Sequence, residues 1–129
     1  MENLTNNTLV EILSRVAAQQ EADLSWANTV AVRDLYAVSI NGSIDSLLFE
    51  QGDTGKCNFI GSASTTRLCT LVEANAVVKK AYAAPSNREY LDRASLVLIP
   101  MSELVERVKA DVPAQLDTTL QAIAKAKAE

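Results

Sequence analysis

GSASTTRLCTLVEANAVVKKAYAA, residues 61–84, is the stretch whose reading decides the rest of the chain. It opens in small hydroxyl residues that suit a helix start, carries no Gly or Pro after Gly61, and stops at Pro85. Leu68, Leu71, Val72, Val78 and Tyr82 recur at helical spacing on one side, with Asn75 interrupting them. Arg67, Thr70, Glu73 and Lys80 fall on the other. The spacing predicts a central helix over residues 65–84 that lays its apolar side on the domain.

Upstream, residues 1–7 read as a flexible polar leader. Thr8 and Glu11 then make a capping box, each side chain placed to satisfy the other's backbone amide. Leu9, Ile12, Leu13, Val16 and Ala17 follow at helical spacing, which predicts a helix over residues 9–22 with Glu11 and Arg15 one turn apart outside. Residues 24–60 fit two patterns. Val30, Val32, Tyr36, Val38 and Ile40 alternate, and Asn41-Gly42-Ser43 is turn chemistry. A three-residue loop there sets Ile40 opposite Ile44, Val38 opposite Ser46 and Tyr36 opposite Leu48, with Ser39 and Asp45 on a wetter side. A second turn at residues 51–55 leads to a short strand over 56–60. Yet Leu24, Ala27, Ala31, Leu35 and Val38 also fit a helix, as do Ile44, Leu47 and Leu48. The antiparallel meander is the preferred expectation.

Downstream, Ser86 and Glu89 form a second capping box for a short helix to about residue 94, with Tyr90 and Leu91 inward. Residues 95–99, SLVLI, are a compact apolar run closed by Pro100 and suit a buried strand. Ser102 can cap a helix carrying Leu104, Val105 and Val108. Asp111 then caps a last helix that takes Pro113 in its first turn. Its stripe is Leu116, Leu120 and Ile123, and its end, AIAKAKAE, has little to bury. A short isolated helix is marginal in water, so residues 113–129 either fray or lie against another subunit or partner. The expected fold is therefore α+β in one domain, residues 1–129: an N-terminal helix, a small antiparallel meander and a helix-rich C-terminal half. An all-α bundle is the alternative.

With 129 residues and 48% hydrophobic content the chain can bury a real core. Only 5% are aromatic, so that core is aliphatic. A net charge of −4 and an acidic pI near 4.8 argue against broad binding to nucleic acid or an anionic membrane. No stretch approaches the ~20 apolar residues of a membrane span. The acidic start, MENLTNNTLVEIL, is unlike a secretory signal, and the expected location is cytoplasmic, or the virion for a viral protein. Cys57 and Cys69 then read as reduced thiols acting as small hydrophobes. There is no histidine, which excludes Ser-His-Asp and Cys-His sites within this chain and removes the commonest metal ligand.

Few stretches hint at chemistry. Residues 52–56, GDTGK, resemble the end of a phosphate-binding loop but have two residues between the glycines instead of four, and Cys57 follows the lysine; a surface turn is the better reading. Gly61, Ser62, Ser64, Thr65, Thr66 and Arg67 are the stronger candidate, since a helix start rich in small hydroxyl residues can hold an anion. Asp45 with Glu50, and Glu21 with Asp23, read as solvated surface pairs. Trp26 reads as core packing, and Asn75 as an exposed residue at the stripe's edge. No cofactor and no metal site are expected. The leading functional expectation is a non-catalytic structural or assembly subunit acting through a protein partner or a homo-oligomer, with Leu116, Leu120 and Ile123 as interface. A component of a larger assembly, a viral particle among them, fits this description. A small regulatory module binding an anionic ligand at residues 61–67 is the alternative. An enzyme working through carboxylates or Lys56 comes third.

Overall fold

Strand β1, Tyr36–Ile40, carries three consecutive residues, Ala37, Val38 and Ser39, with no solvent exposure at all. Successive strand side chains point to opposite faces, so both faces of β1 are covered. This computed structural model describes residues 2–128. In it β1 is the middle of a three-stranded antiparallel sheet, between β4 (Leu68–Cys69) and β5 (Leu96–Pro100). The register with β5 runs from Tyr36 opposite Pro100 to Ile40 opposite Leu96. Two-residue strands β2 (Glu50–Gln51) and β3 (Cys57–Asn58) form a separate small ribbon.

On one face, Ala37, Leu47, Ala63 and Ile99 pack with Ala27 of helix α1 (Glu2–Thr29) and with Leu104, Val105, Val108 and Val112 of helix α4 (Met101–Ala128). On the other, Val38, Leu48, Cys57 and Cys69 pack with Ala74, Val77 and Ala81 of helix α2 (Leu71–Ala83). The architecture is α+β in three layers: the α1/α4 pair, the sheet, then α2. A 3₁₀ turn (Pro85–Asn87) and helix α3 (Arg88–Leu91) lead from α2 to β5. The strand reading of the middle of the chain holds, and the all-α alternative does not.

Several boundaries differ from expectation, each for a physical reason. Residues 2–7 are the first turns of α1; Met1 lies outside the described residues. At its other end α1 continues to Thr29, because Leu24, Trp26, Ala27 and Val30 pack on the core at helical spacing. Tertiary burial thus carries the helix to the residue before Val30, whose amide still donates to the Trp26 carbonyl (2.8 Å). The turn after β1 spans residues 41–45, with Asn41 and Gly42 at positive φ (58° and 77°). The Ser43 amide donates to the Ile40 carbonyl (3.1 Å) and the Asp45 amide to Ser43 Oγ (3.1 Å), which closes this longer turn. The Leu48 amide consequently reaches the Val38 carbonyl (2.9 Å), and the return segment is displaced by two residues from the expected register. A shift of two keeps every side chain on its face. The side expected to be wetter is nevertheless sealed, and Ser39 satisfies its hydroxyl on the Ser43 carbonyl (2.6 Å).

The central helix is shorter than expected, since residues 68–69 form β4. Its start is a capping box of Thr70 and Glu73: the Glu73 amide donates to Thr70 Oγ1 (3.2 Å) and the Thr70 amide to Glu73 Oε1 (3.1 Å). Its buried side is Ala74, Val77 and Ala81, whereas Leu71, Val72 and Tyr82 are exposed. Small residues let the backbone of α2 approach the layer beneath, which the bulkier stripe could not do. The short helix after Pro85 ends at Leu91, three residues early; the Tyr90 side chain lies outside the described residues.

The two expected C-terminal helices are one. Pro113 sits inside α4 and removes only the bond that its missing N–H would make to the Lys109 carbonyl. Residues 113–128 lie along α1 of the same chain, where Thr119 and Ala126 are buried. Both long helices have 28 residues, about 42 Å at 1.5 Å per residue. The unexpected length of α1 gives the alanine-rich tail something to lie on.

The open edge of β5 is guarded. The Asn41 amide donates to the Ser95 carbonyl (2.7 Å), so Leu96, Leu98 and Pro100 direct their backbone groups outward. The Leu96 amide donates to the Tyr82 hydroxyl (2.9 Å), and Pro100 has no N–H to offer.

Asn87, fully buried, ties the far layer together. Its Nδ2 donates to the carbonyls of Gly55 (2.8 Å) and Ala81 (2.9 Å), and its Oδ1 accepts from the Cys57 amide (3.1 Å). Asn87→Ala removes three buried hydrogen bonds and leaves the Gly55 and Ala81 carbonyls only longer contacts, from Cys57 Sγ (3.4 Å) and the Ala84 amide (3.3 Å), so it is expected to cost about 2–3 kcal/mol in urea unfolding. Asn87→Asp should cost at least as much, because it sets an acceptor against two carbonyls.

Candidate functional site

Residues 61–67 are a loop, not a helix start. The Thr65 and Thr66 amides both donate to the Ser62 carbonyl (3.1 and 2.7 Å), which makes a single turn ahead of β4. The helix start that carried the anion reading stands at Leu71 instead. The hydroxyl groups gathered here face a carboxylate of α1. Asp23 Oδ1 accepts from Ser62 Oγ (2.9 Å), Ser64 Oγ (2.6 Å), the Ser64 amide (3.0 Å) and Gln19 Nε2 (3.1 Å). Asp23 is therefore a buried clasp between α1 and this loop, not solvated surface as the sequence suggested. Thr65 Oγ1 accepts from the Ser62 amide (2.9 Å), Thr66 Oγ1 donates to the Leu48 carbonyl (2.8 Å), and Arg67 is exposed. Gly61 is buried, and a Cβ there would lie 2.9 Å from the Leu47 carbonyl oxygen. Of the candidate residues the structure brings Ser62 and Ser64 together around Asp23, while Gly61, Thr66 and Arg67 face elsewhere.

Residues 52–56 form the tight turn between β2 and β3. Gly55, at φ 91°, lies so close to α2 that a Cβ would meet Ala84 Cβ and the Lys80 carbonyl oxygen at 2.9 Å. Lys56 stands on the rim of an open groove with Glu50, Phe59 and the strongly exposed Ile60. Among the described residues no group of three or more Cys, Asp or Glu is placed to hold a metal ion, and no helix is long and apolar enough to cross a membrane. Asn75 is exposed, and Trp26 is half-buried against the core. Cys57 and Cys69 are buried thiols, not joined in a disulfide, in the layer under α2. Burial pushes both thiols up, countered at Cys57 by the bond from Gln51 and at Cys69 by nearby Arg67. Glu73 is held below the usual carboxylate range by its Thr70 bonds.

A further uncovered apolar surface lies on the long helices. A five-residue strand spans about 17 Å, far less than the ~42 Å of α1 and α4. The core under the sheet uses α1 from Leu24 onward and α4 only as far as Val112. Beyond that the two helices continue as an antiparallel arm. Near its end Leu9 and Leu13 line a groove with Ala122, Lys125 and Ala126; near its root Val16, Gln19 and Asp23 line another with Val108, Val112 and Gln115. On this arm Leu9 (43%), Ile12 (51%) and Val16 (41%) are exposed from α1, and Leu120 (46%) from α4. Leu116 and Ile123, the other expected interface residues, are half-buried in the arm. The α1 stripe was read from sequence as an inner face. The signal against that reading was its opposite number: Ala122 and Ala126 are too small to cover leucine-sized residues.

No protein-family model matches the chain, and neither a curated protein nor a solved structure matches it significantly. The case for function accordingly rests on the geometry alone.

Two outcomes follow from these sites. Asp23→Ala removes the acceptor shared by the Ser64 amide and the Ser62 and Ser64 hydroxyls, while Gln19 Nε2 keeps Ser62 Oγ (2.7 Å) and Ser64 Oγ (3.0 Å), and it is expected to cost about 1–2 kcal/mol by urea unfolding. For the thiols, a folded value raised above the ordinary 9.0 means their contribution is full below pH 9 and is lost as pH rises through the shifted values. The Cys57→Ala/Cys69→Ala variant should therefore have a flatter alkaline limb in its stability–pH profile. The native protein should react with a thiol reagent at neutral pH much more slowly than the unfolded chain.

Proposed function

We propose that this chain is a non-catalytic structural or assembly subunit that works through protein–protein contacts made by its helical arm. The observation that supports this reading is the row Leu9, Ile12 and Val16, three aliphatic side chains each about half exposed on successive turns of α1. Scattered exposed apolar residues are ordinary on a protein surface, but a contiguous row beside an apolar groove marks a contact site. Covering the remaining half of each such side chain is worth on the order of 1 kcal/mol. Ordering of the alanine-rich tail against α1 adds to the case: the tail completes the arm's second helix and adds Leu120 to the exposed surface. A partner here is a protein with an apolar helical face, as in the repeating contacts of a larger assembly such as a viral particle. The acidic balance of the chain and the commitment of Ser62 and Ser64 to Asp23 favour this reading over an anion-binding module at residues 61–67.

Native mass measurement and light scattering test it. Under native conditions the protein should be found in a species larger than its own 13.9 kDa. Ile12→Asn combined with Leu120→Asn should return it to that mass with little loss of stability, since both positions are exposed. A chain that remains at its own mass in native extracts, and is stabilised in a thermal-shift panel by a nucleotide or phosphorylated metabolite, would replace this reading with the ligand-binding one.

A further inference from the structure

We infer that Asn41 is a site of self-modification in the folded chain, converted by water to aspartate or isoaspartate, and that a flip of the peptide joining it to Gly42 opens the way. Asn41 is the only asparagine in the sequence followed by glycine, the neighbour that least crowds ring closure because it has no Cβ. Water and hydroxide are the only reagents the step requires. The Gly42 nitrogen gives its proton to hydroxide and bonds to Asn41 Cγ. The Cγ–Nδ2 bond breaks, and Nδ2 leaves as ammonia after taking a proton from water. One water then opens the cyclic imide. Opening at Cγ gives aspartate, whereas opening at the main-chain carbonyl gives isoaspartate, whose backbone runs through the former side chain. In sum one water enters and one ammonia leaves.

The turn decides when this can happen. Asn41 is exposed, and its φ of 58°, the φ of 77° at Gly42 and the bond from the Ser43 amide to the Ile40 carbonyl (3.1 Å) define a type I′ turn. The ψ of the first central residue in such a turn is about +30°, which sets the Gly42 nitrogen nearly anti to Asn41 Cβ and away from Cγ. Flipping the one peptide between them gives a type II′ turn with ψ about −120°, which brings that nitrogen round to the Cβ side. Among the described residues neither the Asn41 carbonyl nor the Gly42 amide is hydrogen-bonded, so the flip breaks no bond. The bonds that hold the turn lie on neighbouring groups: the Asn41 amide to the Ser95 carbonyl (2.7 Å), the Ser95 amide to Asn41 Oδ1 (2.9 Å) and Arg107 Nη1 to the Gly42 carbonyl (2.7 Å). The Ser95 amide also stabilises negative charge on Oδ1, where the attack builds it. Opposing the flip is the first central position of a II′ turn, which suits glycine and strains asparagine. The flipped state is therefore a minor one.

Incubation of the full chain at mildly alkaline pH, followed by intact mass and peptide mapping, tests this. Conversion should fall on residue 41 and rise in proportion to hydroxide. It should run roughly 10–100-fold slower than in the urea-unfolded chain, the population that strain of this kind leaves. Its rate should stay flat as urea is raised below the unfolding transition, because a peptide flip exposes no new surface. Arg107→Ala should leave the rate nearly unchanged, since that bond survives the flip, and Asn41→Gln, whose ring needs one more atom, should abolish conversion. The two products should separate in stability. Aspartate keeps an acceptor for the Ser95 amide and should match the Asn41→Asp variant in urea midpoint. Isoaspartate adds a methylene to the main chain, no longer fits a two-residue turn, and should unfold at lower urea. A folded chain whose residue 41 stays intact while the unfolded chain converts overturns the proposal. A rate that climbs with urea, or rises steeply in Arg107→Ala, overturns the flip and puts general opening of the turn in its place.

Discussion

Covering β1 on both faces at once is the constraint from which the architecture follows. Ala37 and Val38 point to opposite sides of one strand and neither meets solvent. A sheet this small cannot shield both faces by itself, so helical layers must lie above and below it. The upper layer needs aliphatic bulk, which α1 and α4 supply through Leu24, Leu104 and Val108. The lower layer needs close approach, which α2 achieves with Ala74, Val77 and Ala81. Asn87 and Gln51 then hold the β2–β3 ribbon to α2, Gln51 donating to the Val77 carbonyl at 3.0 Å. Removing the seal on either side of β1 would leave a strand wet on one face and a helix without a surface to lie on.

The helices that seal the upper face are more than twice as long as the strands they cover. Their excess length is the arm, and its exposed row is the natural extension of the stripe that buries Ala27 and Leu24 further along α1. The same helix therefore packs internally at its C-terminal half and leaves Leu9, Ile12 and Val16 exposed at its N-terminal half. No separate binding element is needed. The function proposed for the chain is continuous with the interaction that folds it.

Much of this could be read in the residues. The turn chemistry of Asn41 and Gly42, the apolar run closed by Pro100 and the long amphipathic ends were enough to give an α+β fold. The misreadings share one cause: local patterns do not record which layer will cover them. Val30 and Val32 look like the first residues of a strand, yet they lie in the irregular segment between the end of α1 at Thr29 and β1 at Tyr36. The row from Leu71 to Tyr82 has the stronger apolar signal, but the neighbouring alanines let α2 sit closer, and closeness decided the face. Pro113 and Asp111 imitate a helix start, while the surface of α1 beneath them continues without a break. At the candidate site, the hydroxyl-rich loop was visible, but its partner Asp23 lies 39 residues away from Ser62 in sequence, and no local pattern links them.

The guarded rim of β5 has a consequence for how copies can accumulate. An unprotected strand offers the same unsatisfied amides to every newcomer, and chains that add in that way have no reason to stop. Here proline and a tyrosine hydroxyl occupy two of the three outward positions on that rim. A sheet finished in this way has little to offer a further strand.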